Sequence, residues 1–391
     1  MPARTSATLE TRWRGDRGGR ATWPRIILRC CALLALAALL SACETLQFYR
    51  QAAAGQLGIV LRRESTRHLI ADPATDAQLR AHLIVAGDIL RFARERLRLP
   101  TKGEFSSYVD VGGKYVVWNV FATPEFSTQP VQWCYPIIGC ASYRGYFHDR
   151  DARRLATRLS VGGHDVAVGG VVAYSTLGWF DDPLLSTYVD WEPTELAGLL
   201  FHELAHSKLF IKGDTAFNEG FATFVEREGV REWLNARGEA AEIGRAEDRW
   251  RRSERLVQMM LSWRTQLSTL YRQSLNSMAR RMLKGEMMTE IDRCLRENQE
   301  VLGKSSVNRL LHVPMNNAQL VPFAAYHDYV PGFAALFAES EGDWETFFRR
   351  AQTLGRMKPA EREAALMRPA NEVQAGAPAV HCRTLTYGTE P

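Results

Sequence analysis

Beyond its first 42 residues this chain lacks any excess of charge. The 391 residues carry 49 Lys and Arg against 44 Asp and Glu, a formal net of +5. Seven of those arginines (Arg4, Arg12, Arg14, Arg17, Arg20, Arg25 and Arg29) fall within residues 1–42, against only Glu10 and Asp16, and the rest of the chain holds 42 basic and 42 acidic residues. A basic footprint for nucleic acid is therefore excluded from the bulk of the protein. An apolar run long enough to span a bilayer is missing as well. The run "CCALLALAALL", Cys30 to Leu40, has 11 residues, and a spanning helix needs about 20. There is no phosphate-cradling glycine loop, no four-cysteine metal pattern, no internal repeat and no low-complexity segment. What remains is 46% hydrophobic and 24% charged, ordinary globular proportions with length enough for one large domain or two moderate ones.

The arginine-rich start followed by the short apolar run reads as a secretion signal. It ends in "LSAC", Leu40 to Cys43, which resembles the bacterial lipobox, whose cysteine is lipidated and becomes the mature N-terminus. That resemblance implies a signal peptide over 1–42, a membrane anchor on Cys43 and a cell-envelope location. Glu44, in place of the aspartate that often retains lipoproteins at the inner membrane, favours an outer-membrane address facing the periplasm. Five cysteines follow residue 42. With Cys43 lipidated, Cys134, Cys140, Cys294 and Cys382 make an even number in an oxidising compartment. Cys134 and Cys140 flank the turn-like "YPIIG" and are expected to pair. Cys294 with Cys382 would then tie the C-terminal tail to a helix. Buried free thiols are the alternative.

Residues 45–100 carry apolar positions at helical spacing, with "DAQLRAHLIVAGDILRFARERLRL" an amphipathic helix. From about 104 to 180 the pattern turns to short β-rich runs, "SSYVDV", "KYVVWNVFAT" and "DVAVGGVVAYSTLG", with Gly-Gly turns at 112 and 162. Helix returns at Pro193, with an apolar stripe at 196, 199, 200 and 204, and a second helix starts near Asp214 or Thr215. Residues 235–300 read as a long helical hairpin, and the tail beyond 368 as extended. The expected fold is α+β: a small mixed or antiparallel sheet, the metal helices, and a mainly helical C-terminal lobe from about 231.

In "FHELAHSKLFIKGDTAFNEGFATFVEREG", residues 201–229, His202 and His206 stand four apart. On a helix both imidazoles share one face and can clasp one ion. Glu203, beside the first, can reach a metal-bound water without binding the metal. Without an ion the same residues are only a polar helix face. A catalytic zinc takes three protein ligands, and the next helix offers Glu219 and Glu226. These are seven apart on one face, so periodicity does not choose between them.

"NEGFA" followed by an aromatic residue and "VE" resembles the third-ligand helix of gluzincin aminopeptidases. Together with the lipobox, "QAAAGQL", "CYPIIGCASYRGYF" and "NNAQL", it makes the whole mature chain similar to the bacterial family of predicted zinc-dependent aminopeptidase lipoproteins. The resemblance implies a Zn2+ site on His202, His206 and Glu219, with Glu203 as general base and peptides as substrates. Only twelve residues separate His206 from Glu219, fewer than in better-known gluzincins. Tyr326, with Tyr329 and His327 behind it, is the candidate oxyanion donor. "GGVVAYSTLGWF", 169 to 180, is the candidate substrate strand, although it holds no glutamate for a substrate amine. Asp181 and Asp182 are substitutes for that role, and Arg144 and Tyr146 are candidate cleft residues. The active site is expected between sheet and helical lobe. Two other readings stand beside the peptidase: an inert envelope scaffold stabilised by zinc, and a zinc amidase acting on non-peptide or peptidoglycan amides.

Overall fold

The computed structural model describes residues 45–101, 103–135, 139–173, 181–325, 329–367 and Cys382. The chain divides after Gly55 into two compact units. Of the first, residues 45–55 are described and are helical; the apolar run and Cys43 lie outside the described residues. Among those described, no helix is long and apolar enough to cross a membrane.

The second unit opens with helix α1 (56–61), a short strand β1 (Glu64–Ser65) and helices α2 (Thr66–Ala71) and α3 (Ala77–Glu95). Asp76 starts α3 by accepting from the backbone N–H groups of Gln78 and Leu79, which satisfies donors that a helix N-terminus otherwise leaves free. The β-rich region holds β2 (Ser107–Val109), β3 (Val117–Pro124), β4 (Trp133–Tyr135), β5 (Gly139–Ala141), β6 (Arg144–Tyr146), β7 (His164–Val171) and β8 (Leu184–Leu185). They form three small sheets: β1-β2-β8, in which β2 and β8 run parallel, antiparallel β6-β3-β7, and the hairpin β4-β5.

Helix α4 (Asp149–Val161) interrupts this region, which the sequence pattern presents as β throughout. Its apolar positions are few, but Ala152 and Leu155 are fully or nearly buried, so one narrow stripe is enough to seat it on the sheet. Gly162 and Gly163, expected to turn between strands, end this helix instead. The N–H of Gly162 bonds to the carbonyl of Arg158, and Gly163 takes a φ of +80°, a left-handed geometry that suits glycine.

The described residues that follow are mainly helical: α5 (Pro193–Lys208), α6 (Thr215–Ala236), α7 (Ala240–Tyr271), α8 (Ser277–Glu297), α9 (Gln299–Leu302), α10 (Lys304–Leu310), two 3-10 turns (Asn317–Leu320 and Pro322–Ala325), then α11 (Val330–Ala338), α12 (Trp344–Gly355) and α13 (Pro359–Leu366). α5 is less one-sided than its stripe implies. Leu196, Ala197, Gly198, Leu200, Phe201, Leu204 and Ala205 are all buried, while Leu199 is only partly so. This is a central helix covered on most sides.

Two apolar cores result, and they do not part at residue 231. The larger joins α3, α5 and α6 with β2, β8 and the late helices α11–α13; the smaller, rich in methionine, joins α7–α10 with Leu320. The late helices return to α6 through aromatic rings. Phe217, Phe221 and Phe224 meet Phe333 and Phe347 at centroid distances of 5.0 to 5.9 Å, in the range where edge-to-face and offset pairs attract.

The "NNAQL" segment ties the β3–β7 sheet to the helical hairpin. Lys284 of α8 lies 2.7 Å from Asp165 of β7, and both are largely buried. Asp165 also accepts from the Asn317 N–H, Asn316 donates to the Val166 carbonyl, and Asn317 donates to the Glu125 carbonyl. Cys134 and Cys140 are joined as a disulfide across β4–β5, and Cys294 of α8 is joined to Cys382.

Candidate metal centre

α5 presents His202 and His206 one turn apart. α6 must fold back sharply to bring a carboxylate to them, and a buried amide makes that turn. Asn218, 2% exposed, accepts from the Ile211 N–H at 2.8 Å and donates to the Ile211 carbonyl at 2.9 Å. Asp214 caps α6 through the Phe217 N–H and is gripped by Arg362 of α13. Gly220 permits close packing of α6 on the residue preceding α11, since a Cβ there would lie 2.9 Å from the Tyr329 Cβ. The aromatic face of α6 (217, 221, 224) then points to the core, and the face carrying 219 and 226 points to α5.

The three side chains converge. His202 Nε2 and His206 Nε2 are 3.2 Å apart, and Glu219 lies 3.5 Å from the first and 3.7 Å from the second. Their ligand atoms form the one group among the described residues that could hold a metal ion. A tetrahedral ion with bonds of about 2.0–2.1 Å sets its ligands about 3.4 Å apart, so this donor set fits zinc in size and in type. Glu226 takes a different place. Its carboxylate is 3.0 Å from His202 Nδ1, on the far side of the ring, where it orients the imidazole and fixes which nitrogen faces the cluster.

Without a metal, the cluster holds protons unevenly. Burial alone pulls the His202 pKa down, but hydrogen bonds to Glu219 and Glu226 more than offset it and raise it well above the ordinary imidazole value. Burial and the neighbouring charge of His202 push His206 down. For Glu219 burial acts upward, yet bonding to His202 leaves its pKa lowered. Glu203 moves the other way: burial raises its carboxyl pKa, the charge of His202 opposes this, and Asp182, Glu219 and Glu226 add to the rise. A carboxylate so placed takes up a proton near neutral pH more readily than an exposed one. The His206 Nδ1 is buried with no hydrogen-bond partner among the described residues.

Other sequence candidates fall elsewhere. Tyr326 and His327 lie outside the described residues, as do 174–180 of the candidate substrate strand. Tyr329 is buried, and the charges acting on it are those of Glu363, Asp214 and Arg362, not those of the cluster. Tyr146 is buried opposite Trp118 within the sheet, and neither it nor Arg144 lines the cavity described below. Asp182 does lie near Glu203, whose pKa it raises.

Two groups close to the site carry no local sequence signal. Tyr143, 44% exposed, precedes β6 with its ring 5.7 Å from Phe121, and desolvation by the surrounding chain together with the charge of Glu219 raises its pKa. Strand neighbours alternate in direction, so choosing Arg144 and Tyr146 from "YRGYF" selects the other parity. Glu104 is the second. It sits beside Asp181, Asp182 and Ser207, and burial is the main cause of its raised pKa. The chain segment bearing it is pinned there by the Phe105 N–H, which donates to the Asp182 carbonyl at 2.7 Å.

A cavity of about 760 Å3 adjoins the cluster. Its walls come from α5, α6, α7 and the segment 302–309, with His202, Glu203 and Glu226 at one side. Among the described residues this cavity lies between helices, and neither His206 nor Glu219 lines it.

The fold and the cluster together define an α+β protein with a partly buried His-His-Glu donor set and a flanking carboxylate. The chain matches the family described as "Putative aminopeptidase" over residues 47–366 and belongs to that family. Neither a curated protein nor a solved structure matches it.

Proposed function

We propose that this protein is a zinc-dependent peptidase, acting as an aminopeptidase on short peptides and held by lipid on Cys43 at the bacterial outer membrane, facing the periplasm. The observation that carries the reading is the convergence of His202, His206 and Glu219 within 3.7 Å of one another, with Glu203 alongside. Family membership supports the peptidase class. A zinc ion bound to those three residues supplies a Lewis acid for a peptide carbonyl and a water acidified to a pKa of about 7.

The chain's own groups do the rest. Glu226 holds the His202 ring so that Nε2 is turned toward His206 and Glu219, the residues that would hold the ion with it. Glu203 accepts a proton from the attacking water and delivers it to the leaving nitrogen. Tyr143, on the Glu219 side, is positioned as a donor to the developing oxyanion, and Tyr326 remains a second candidate for that task. The carboxylate of Asp182, near Glu203, and that of Glu104, near Asp182, meet the free α-amine of the substrate and give the enzyme its exopeptidase character.

The test compares zinc-loaded and chelated protein on matched peptides with free and blocked N-termini. Turnover of the free peptide alone is expected, with a loss of about 10²- to 10⁴-fold in Glu203→Gln at unchanged zinc content. Full activity in E203Q would refute the mechanism. One zinc per chain with no hydrolysis of any amide would favour the inert scaffold.

A further inference from the structure

Fifteen large apolar side chains are exposed among the described residues, and five of them fall between residues 46 and 61. Leu46, Leu57 and Leu61 are 70%, 56% and 74% exposed, and Tyr49 and Val60 are exposed to a lesser degree. Residues 45–55 and α1 are helical. At about 100° per residue, positions 46, 49, 57, 60 and 61 fall within one stripe about 120° wide, and Ala53, also exposed, lies near its middle. Elsewhere the exposed apolar residues stand singly or in pairs, as Val161 and Phe210 do. Single ones are ordinary on a protein surface, whereas a continuous stripe marks a contact.

Charge and chain position name the partner. From Thr45 to Arg63 there are three arginines and no acidic residue. Arg62 serves the fold: it donates to the Gly58 carbonyl at 2.9 Å and to the Asp110 carbonyl at 3.0 Å. Ile59, 2% exposed, sits in the larger core. α1 is therefore fixed on one side while Leu57, Val60 and Leu61 stay outward. Arg50 is exposed within the stripe, where its stem can lie along apolar neighbours and its guanidinium can reach a phosphate. Cys43, the proposed point of lipid attachment, precedes Leu46 by three residues, about 10 Å of extended chain. Lipid on Cys43 brings the start of the stripe to the phospholipid headgroups, and an apolar helix face with arginine and no acid suits that surface.

Building on the reading of Cys43 as a lipid anchor, we propose that residues 46–61 form a second membrane contact, a helical surface that lies on an anionic phospholipid bilayer. Leu46, Leu57, Val60 and Leu61 enter the boundary between headgroups and acyl chains, and Arg50 pairs with lipid phosphate. The chain is then laid against the bilayer along this stripe instead of swinging from a single point.

The test uses the chain from residue 44, made without lipid. No described residue before Ile59 belongs to either core, so this chain keeps both. Cosedimentation with vesicles of phosphatidylcholine, alone and mixed with phosphatidylglycerol, reads the binding. The chain should bind both and prefer the anionic vesicles. L46Q/L57Q/L61Q should bind both about 10- to 100-fold more weakly, with urea stability unchanged because all three leucines are exposed. Should the triple variant prove unstable, L61Q alone should still bind about threefold more weakly. R50Q should lose about fivefold on the anionic vesicles only. No binding by the unsubstituted chain, or equal binding by the leucine variants, would overturn the proposal. So would a dimer in sedimentation velocity that the triple variant dissociates and that ignores vesicles, since a second copy would then cover the stripe. Mass spectrometry of the protein recovered from the cell envelope tests the anchor separately. If Cys43 carries no lipid while vesicle binding depends on the leucines, the anchor reading fails and the surface helix stands.

Discussion

Glu226 lies 3.0 Å from Nδ1 of His202, on the side of the ring opposite the nitrogen that faces His206 and Glu219. Two glutamates seven residues apart on α6 therefore stand differently toward one imidazole: Glu219 on its Nε2 side with His206, and Glu226 on its Nδ1 side. Glu219→Gln should lose zinc outright on dialysis. Glu226→Gln should still load one zinc per chain with affinity reduced about 10- to 100-fold. Competition with a fluorescent chelator distinguishes the two, and equal affinity in both variants would reverse the assignment.

Zinc loading should release protons. The raised pKa of His202 keeps it protonated in the metal-free protein at neutral pH, and its Nε2 must lose that proton to bind an ion. About one proton should leave per zinc at pH 7.5, and apparent affinity should climb about tenfold per pH unit upward from neutrality until His202 deprotonates unaided. Calorimetry in buffers of different ionisation enthalpy measures this count. No proton release would mean that His202 is neutral before the metal arrives.

The turn that aims Glu219 rests on Asn218. Asn218→Ala removes both bonds to Ile211 and leaves a backbone N–H and carbonyl without their partner. A loss of about 2–4 kcal/mol in urea denaturation is expected, together with weaker zinc binding. A variant with intact stability and intact zinc affinity would show that the loop holds its shape unaided.

Lys284 and Asp165 bridge the helical hairpin and the sheet. Lys284→Met strands a buried carboxylate and should cost about 3–5 kcal/mol. The double variant K284M/D165N should recover part of that loss. Equal destabilisation of single and double variants would mean that the pair contributes little beyond packing.

Tyr143→Phe removes a hydroxyl on the Glu219 side of the site. If that hydroxyl stabilises the oxyanion, kcat should fall about 10²-fold with KM and zinc content little changed. An equal loss in KM alone would place Tyr143 in substrate binding instead.

Several features could be read from local pattern because they depend on neighbours within a turn or two. The four-residue spacing of His202 and His206, the start of α5 at Pro193 and of α6 at Asp214 are of this kind. The even number of cysteines is legible from composition instead, and the fold joins them as 134–140 and as 294–382, the second pair 88 residues apart. α4 escaped because a helix needing only Ala152 and Leu155 to seat it has little apolar signal of its own. "NNAQL", read as a family signature, turns out to hold Asp165, Val166 and Glu125, contacts more than 140 residues away in the chain.

The sequence by itself determined the donor types, since imidazoles at i and i+4 must share a helix face wherever that helix lies. Its periodicity could not decide between Glu219 and Glu226, because seven residues is a whole number of turns to within a few tens of degrees, and the resemblance carried by "NEGFA" alone pointed to Glu219. Only the tertiary fold chose, through the Asn218 turn that fixes how far α6 slides along α5. The same fold alone brought Glu104 to Asp182. Such contacts arise from chain segments packing across long loops, and no local periodicity records them.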